Sequence, residues 1–219
     1  DHAAMGHGAP AEKAAGAAMG AMSMDGMNMR DTSLLPPDVK VGPGIDGVSM
    51  MPVDKTGDPG LGLRDVKHRV LNYRMLAALE PNKDTREPSR LLELHLTGNM
   101  ERYMWSINGI KFSDAPDPIP LTHGERIRLT IVNDTMMAHP MHMHGVFMEL
   151  ENGHGPECPY VHTINVKPAE RVSLLATPVD PGPWAFHCHV LFHMDVGMFR
   201  VFQVSEPDGS MTVKVGAGS

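Results

Sequence analysis

Chemistry-bearing residues concentrate in two short motifs, HPMHMHG at 139–145 and HCHVLFHMDVGM at 187–198. The second sets a cysteine between two histidines, with a further histidine and a methionine following at five-residue steps. Scattered methionines and single core histidines arise from ordinary packing, but two such motifs together do not. One thiolate, two imidazoles and a weak thioether form the donor set of a trigonal blue-copper electron-transfer centre. Cys188, His193 and Met198 supply three of these donors from one strand-turn-strand segment. His139 is the best remaining imidazole. Pro140, which lacks a ladder donor, suggests a loop position at a strand end.

Strand geometry then sorts the other histidines. Successive side chains on a strand point to opposite faces. If Cys188 points into the fold, His187 and His189 point out of it, and His142 and His144 share a face with Met143 opposite. Four outward imidazoles have no packing rationale, and imidazole suits copper well. A second metal site is therefore expected at the domain surface.

The elements that must position these residues follow from periodicity. From residue 89 the apolar pattern has period two: Leu92, Leu94 and Leu96, then Ile127, Leu129 and Ile131. TINV (163–166), RVSLLAT (171–177), WAFHCH (184–189), MFRVFQV (198–204) and MTVKV (211–215) continue the series. NG at 108–109, HGE at 123–125 and DPGP at 180–183 mark turns. Seven or more short strands in about 120 residues predict an all-β, antiparallel Greek-key β-sandwich over residues 89–219. Residues 1–33 are rich in Met, Ala and Gly without periodicity and are expected to be disordered. Residues 34–88 are Pro/Gly-rich and read as an extended linker. Within it, RVLNYRMLAALE (69–80) predicts one short helix or an irregular segment.

Composition bounds the function. The 219 residues carry a formal net charge of -7, which argues against a nucleic-acid partner. No apolar run approaches the ~18 residues of a membrane-spanning helix. The chain begins at Asp1 without an initiator Met or signal peptide, which suggests a processed form or a piece of a longer protein. It holds 19 Met and 13 His against 2 Cys. Met22, Met24, Met27 and Met29, in MSMDGMNM, are either soft Cu(I) ligands or incidental content of a linker.

These motifs resemble the last cupredoxin domain of three-domain multicopper oxidases (laccases, ascorbate oxidase, cuprous oxidases). LTGNMERYMWSING (96–109), HTINVKPAERVSLLAT (162–177) and WAFHCHVLFHMDVGMFRVF (184–202) are similar to the copper-resistance, CopA-like branch, over roughly residues 65–219. The resemblance implies a type 1 copper on His139, Cys188, His193 and Met198. It implies a type 2 ligand in His142 and type 3 ligands in His144, His187 and His189. His187, Cys188 and His189 become the catalytic path for electrons from a reducing substrate, Cu(I) or a phenol, to a trinuclear cluster that reduces O₂ to water. A periplasmic location is implied by the same branch. The family draws four of its eight cluster histidines from two further HxH pairs in the first domain. This chain has only the pairs 142–144 and 187–189; His2, His7, His68, His95, His123, His154 and His162 are isolated. A first-domain cupredoxin is therefore the expected partner.

His154 and His162 read as surface histidines, and His95, alternating with leucines, is expected to face solvent. Cys158 reads as an inert loop or packing thiol. Asp195, beside His193, is either a substrate-orienting group or a solvated turn carboxylate. Two other classes compete with an oxidase module: a single-domain blue-copper electron carrier, and a periplasmic copper buffer in which the Met-rich segment matters most.

Overall fold

The computed structural model describes residues 28–115 and 117–211. Among the described residues, eleven strands form two packed sheets. The first sheet runs β2-β1-β4-β9-β6-β7, from β1 (Arg90–Asn99), β2 (Met104–Ile107), β4 (Ile127–Asn133), β6 (Met148–Leu150), β7 (Tyr160–Val161) and β9 (Arg171–Ala176). The second runs β3-β11-β10-β5-β8, from β3 (Ile119–Thr122), β5 (His139–Met143), β8 (Thr163–Val166), β10 (Gly182–Cys188) and β11 (Phe199–Ser205). Most pairings are antiparallel, but β1 pairs with β4, and β11 with β3, in parallel. The expected strand over 211–215 lies, apart from Met211, outside the described residues.

The core forms where the period-two pattern turns inward. Leu94, Leu96, Ile127, Leu129 and Ile131 from one sheet meet Met141, Phe186, Phe202 and Val204 from the other, all buried. Phe186 and Phe202 cross edge to face at 5.4 Å between ring centroids. Burying each such ring stabilises the fold by about 1.5–3 kcal/mol.

The outer face of the first sheet departs from simple alternation. Residues 40–53 cross it: Lys40 N–H donates to Asn108 O, Asp46 N–H to Gly98 O, and Val53 N–H to Ala169 O. Val48 of this strap is buried. His95 is consequently buried, not solvent-facing as expected. Its Nδ1 lies 2.6 Å from Asp134 Oδ2 and its Nε2 3.1 Å from Glu93 Oε1. A later segment docks at the other edge, where Asn82 Nδ2 donates to Cys158 O and Asn152 Nδ2 to both Tyr73 O and Leu76 O.

The segment 69–80 takes the irregular alternative, with one 3-10 turn at Tyr73–Met75. Leu71 and Leu79 are exposed, so the apolar spacing had no surface to pack against. Helices this short depend on such packing.

Candidate metal centre

β5 and β10 are neighbours, and their register pairs Cys188 with Met141 and His187 with His142. Cys188, Met141 and His139 therefore face inward and are fully buried. Pro140 lies within β5, opposite Asn165, and not in a loop. Pro140 O accepts from His189 N–H at 2.7 Å, just past the end of β10, so the missing donor falls where the ladder ends.

After Cys188 the chain makes one helical turn, α1 (Leu191–Asp195), which swings His193 back over the cysteine. Gly197 then turns the chain into β11 with φ of +132°; a Cβ there would stand 2.4 Å from Trp105 O. This reversal seats Met198, which is fully buried. Met198 N–H donates to His193 O at 2.9 Å, and Cys188 N–H donates to Met198 O at 3.2 Å.

Cys188 Sγ lies 3.7 Å from His139 Nδ1 and 3.8 Å from His193 Nδ1, and the two Nδ1 atoms are 3.1 Å apart. Ligand bonds of about 2.0–2.3 Å meeting near trigonal angles separate donor atoms by about 3.5–3.8 Å. The sulfur-nitrogen spacings match that value, and the nitrogen-nitrogen spacing is slightly tighter. The soft thiolate with two imidazoles fits copper, and Met198, bonded through its backbone to Cys188 and His193, is the methionine of the set. Trp105 walls the group, 4.9 Å from the His139 ring and 4.3 Å from the His193 ring.

Burial dominates the electrostatics. It pulls His139 down to about 3, with His193 adding to the effect, and it also lowers His193. It pushes the Cys188 thiol up to about 11. Charge on any one of these groups alone is disfavoured in a dry site, so the imidazoles stay neutral and ready to ligate. A metal cation and a thiolate satisfy one another there.

The other four histidines gather on the opposite side of β5 and β10. His144 Nε2 lies 3.0 Å from His187 Nε2. The His142 ring is 4.5 Å from that of His144, 4.7 Å from His189 and 5.7 Å from His187. His187 is nearly buried beneath Phe199, whose ring stacks on it at 5.6 Å, while His144 and His189 are exposed. Gly145, with φ of +66°, bends the chain after His144; a Cβ would sit 2.3 Å from the Trp184 ring. Burial lowers His142 and His144, and the neighbouring imidazoles add to it.

Two hydrogen bonds set ring orientation. His142 Nδ1–H donates to His162 O at 2.7 Å, and His187 Nδ1–H donates to Cys188 O at 3.1 Å. Both leave Nε2 as the lone-pair nitrogen. Ligating imidazoles are commonly fixed in this way.

His162 was missed as part of this group. Exposed as expected, it also brings its ring to 5.1 Å from His142, with the Nδ1 atoms 3.3 Å apart. The signal lay in the β5–β8 register, which pairs His142 with Thr163. His154 is half-buried and bonded to Arg74 O, and Asp195 is exposed. Cys158 is free and buried.

Met22, Met24 and Met27 lie outside the described residues. Met29 is pinned by Val48 N–H donating to its carbonyl at 2.7 Å. It lines a cavity of about 260 Å³ with Met100, Met136, Met137, Asp134 and Trp105. That cavity is one ring away from His139.

Residues 85–208 match the multicopper oxidase family. The chain is 48% identical over 164 residues to a copper resistance protein A homolog of Pseudomonas syringae pv. tomato, covering 75% of this chain and 28% of the relative. It is 32% identical to multicopper oxidase MmcO of Mycobacterium tuberculosis, over 64% of this chain and 28% of that protein. Among solved structures, Fet3p, a multicopper oxidase that functions in iron import, superposes with a TM-score of 0.54 at 18% identity, over 64% of this chain and 36% of that chain. The chain thus spans about a quarter of the length of these curated relatives. With copper the family's metal and a donor set that fits it, the chain belongs to the multicopper oxidases, in the copper-resistance protein A branch.

Proposed function

We propose that the chain is the C-terminal cupredoxin domain of a copper-resistance multicopper oxidase. His139, Cys188, His193 and Met198 would hold type 1 copper, His142 type 2 copper, and His144, His187 and His189 type 3 copper. The observation that carries the reading is the split of the HCH element. The Cys188 sulfur faces two buried imidazoles, while His187 and His189 face two more on the other side. Bound there, copper supplies one-electron redox chemistry at Cys188 and four-electron reduction of O₂ to water at the histidines.

The protein's own residues orient and insulate. Trp105 excludes water from the buried imidazoles. The Cys188 backbone joins the two histidine groups covalently, and the bond from His187 to Cys188 O adds a second link. Met29, Met100, Met136 and Met137 line a cavity with Trp105, whose ring lies 4.9 Å from that of His139, and this methionine content supports Cu(I) as reducing substrate. A phenol is the other donor the family resemblance suggests. Half of the cluster ligands must come from a first cupredoxin domain, and the copper-resistance branch supports a periplasmic location.

The carrier alternative accounts for the buried centre but leaves four clustered histidines unused. The buffer alternative rests on Met22 to Met29 and leaves the buried thiolate site unused. Copper per chain tests the choice. About one tightly held, blue copper is expected for the lone chain, rising when a first domain is added. One copper under both conditions would favour the carrier, and many weak Cu(I) sites without a blue band would favour the buffer.

A further inference from the structure

We propose that Thr135 is a positioning residue for the buried centre, its hydroxyl fixing which nitrogen of His139 is free to ligate. The proposal rests on the assignment of His139 and Cys188 to one copper. It follows from a chain of hydrogen bonds whose donors and acceptors favour one arrangement.

The chain starts at Asn133, at the end of β4 and fully buried. Its Nδ2 faces two carbonyls, Met137 O at 2.7 Å and Val166 O at 2.9 Å. Both amide protons are thereby used, and the side chain cannot be turned over without setting oxygen against oxygen. Val166 is the register partner of His139 across β5 and β8, so this amide ties the loop 134–138 to the ladder beside the ligand.

Asn133 Oδ1 accordingly accepts. Thr135 N–H donates to it at 2.9 Å, and Thr135 Oγ1 lies 2.8 Å away. The other protein oxygen near the hydroxyl is Met137 O, at 3.1 Å, also an acceptor only. Two oxygens 2.8 Å apart need a proton between them, so the single hydroxyl proton goes to Asn133 Oδ1. Of the two lone pairs on Thr135 Oγ1, one accepts from Met137 N–H at 3.3 Å and the other faces His139 Nε2 at 2.7 Å. His139 Nε2–H donates to it. Nδ1 then carries the ring's lone pair, 3.7 Å from the Cys188 sulfur. In the metal-free chain the same logic makes His193 the Nδ1–H donor to His139 Nδ1, across 3.1 Å.

The loop itself is held from behind. Asp134 N–H donates to Leu96 O, and Asp134 accepts from Ser49 N–H and contacts His95. Thr135 is thus presented by a pinned backbone. Outer partners of this kind typically change metal affinity about 10- to 100-fold when removed.

The test uses the full chain, copper(II) alone as probe, and three forms: unsubstituted, Thr135→Val and Thr135→Ser. Titration is read by the blue absorption band, and metal-free melting temperature monitors the fold. Thr135→Val is expected to melt near the unsubstituted temperature, bind copper about 10- to 100-fold more weakly and shift the band. Thr135→Ser, which keeps the hydroxyl, is expected to restore both. Long-range proton-nitrogen correlation on the metal-free chain should show His139 as the Nε2–H tautomer. That measurement stands even if Thr135→Val does not fold. Unchanged affinity and band in Thr135→Val, a Ser variant as impaired as the Val variant, or an Nδ1–H tautomer of His139 would each overturn the role of Thr135 alone. Absence of a blue band from the unsubstituted chain would instead overturn the copper assignment, and this proposal with it.

Discussion

Cys188 and His187 are adjacent in the chain yet serve opposite sides of one sheet. The sulfur lies 3.7 Å from His139 Nδ1, while His187 Nε2 lies 3.0 Å from His144 Nε2. Strand alternation alone produces this division. One peptide link separates a buried soft-donor group from an outward imidazole group.

Replacing Cys188 with Ser is expected to abolish the blue absorption while leaving the sandwich folded. A hydroxyl cannot supply the thiolate, and the change removes little volume from the core. Visible spectra of the copper-loaded variant, with circular dichroism for the fold, provide the check. A Ser variant that remains blue contradicts the assignment.

Met198→Leu is expected to stay blue with a higher reduction potential, because an axial thioether tunes the centre more than it holds it. Leucine of similar volume suits this fully buried position. Redox titration measures the shift, and an unchanged potential removes Met198 from the centre.

The double substitution Met136→Leu with Met137→Leu keeps the apolar lining of the cavity behind Trp105 but removes two thioethers. Bleaching of the blue band by Cu(I) should slow roughly tenfold, equivalent to about 1.4 kcal/mol. Bleaching by a phenol should change little. Equal slowing for both donors would mean that the methionines act on the centre itself.

His95 carries a pH signature. Burial lowers its pKa, but Asp134 and Glu93 outweigh burial and leave it raised above the ordinary value. Its contribution to stability is then full below the unfolded value of about 6.5 and is lost as pH rises through the higher folded value. His95→Gln should lower the metal-free melting temperature more at pH 6 than at pH 9. A deficit that is the same at both values would show that His95 folds uncharged.

The sequence was most legible where one rule governed. Period-two patterning located strands such as Ile127–Asn133, and the same alternation divided Cys188 from His187 and His189. It failed where a second layer intervened. His95 sits on a strand face that alternation exposes, but residues 40–53 return from elsewhere in the chain to cover it. His162 joins His142 only through the pairing of β5 with β8, which no local pattern encodes. Thr135 and Asn133 carried no signal in the sequence, because their contact with His139 requires the whole β4–β5 connection to fold back.

The central claim is that this chain holds an electron-entry centre and half of an oxygen-reducing cluster. Oxygen uptake with Cu(I) or a phenol as donor tests it most directly, on copper-loaded chain alone and with a first cupredoxin domain of the family. The lone chain should be blue and reducible but consume no oxygen by four-electron turnover, because His142, His144, His187 and His189 leave each metal undercoordinated. Adding the first domain should start uptake. Robust oxygen consumption by the lone chain would contradict the half-cluster account, and would mean that other imidazoles, His162 first among them, complete the site.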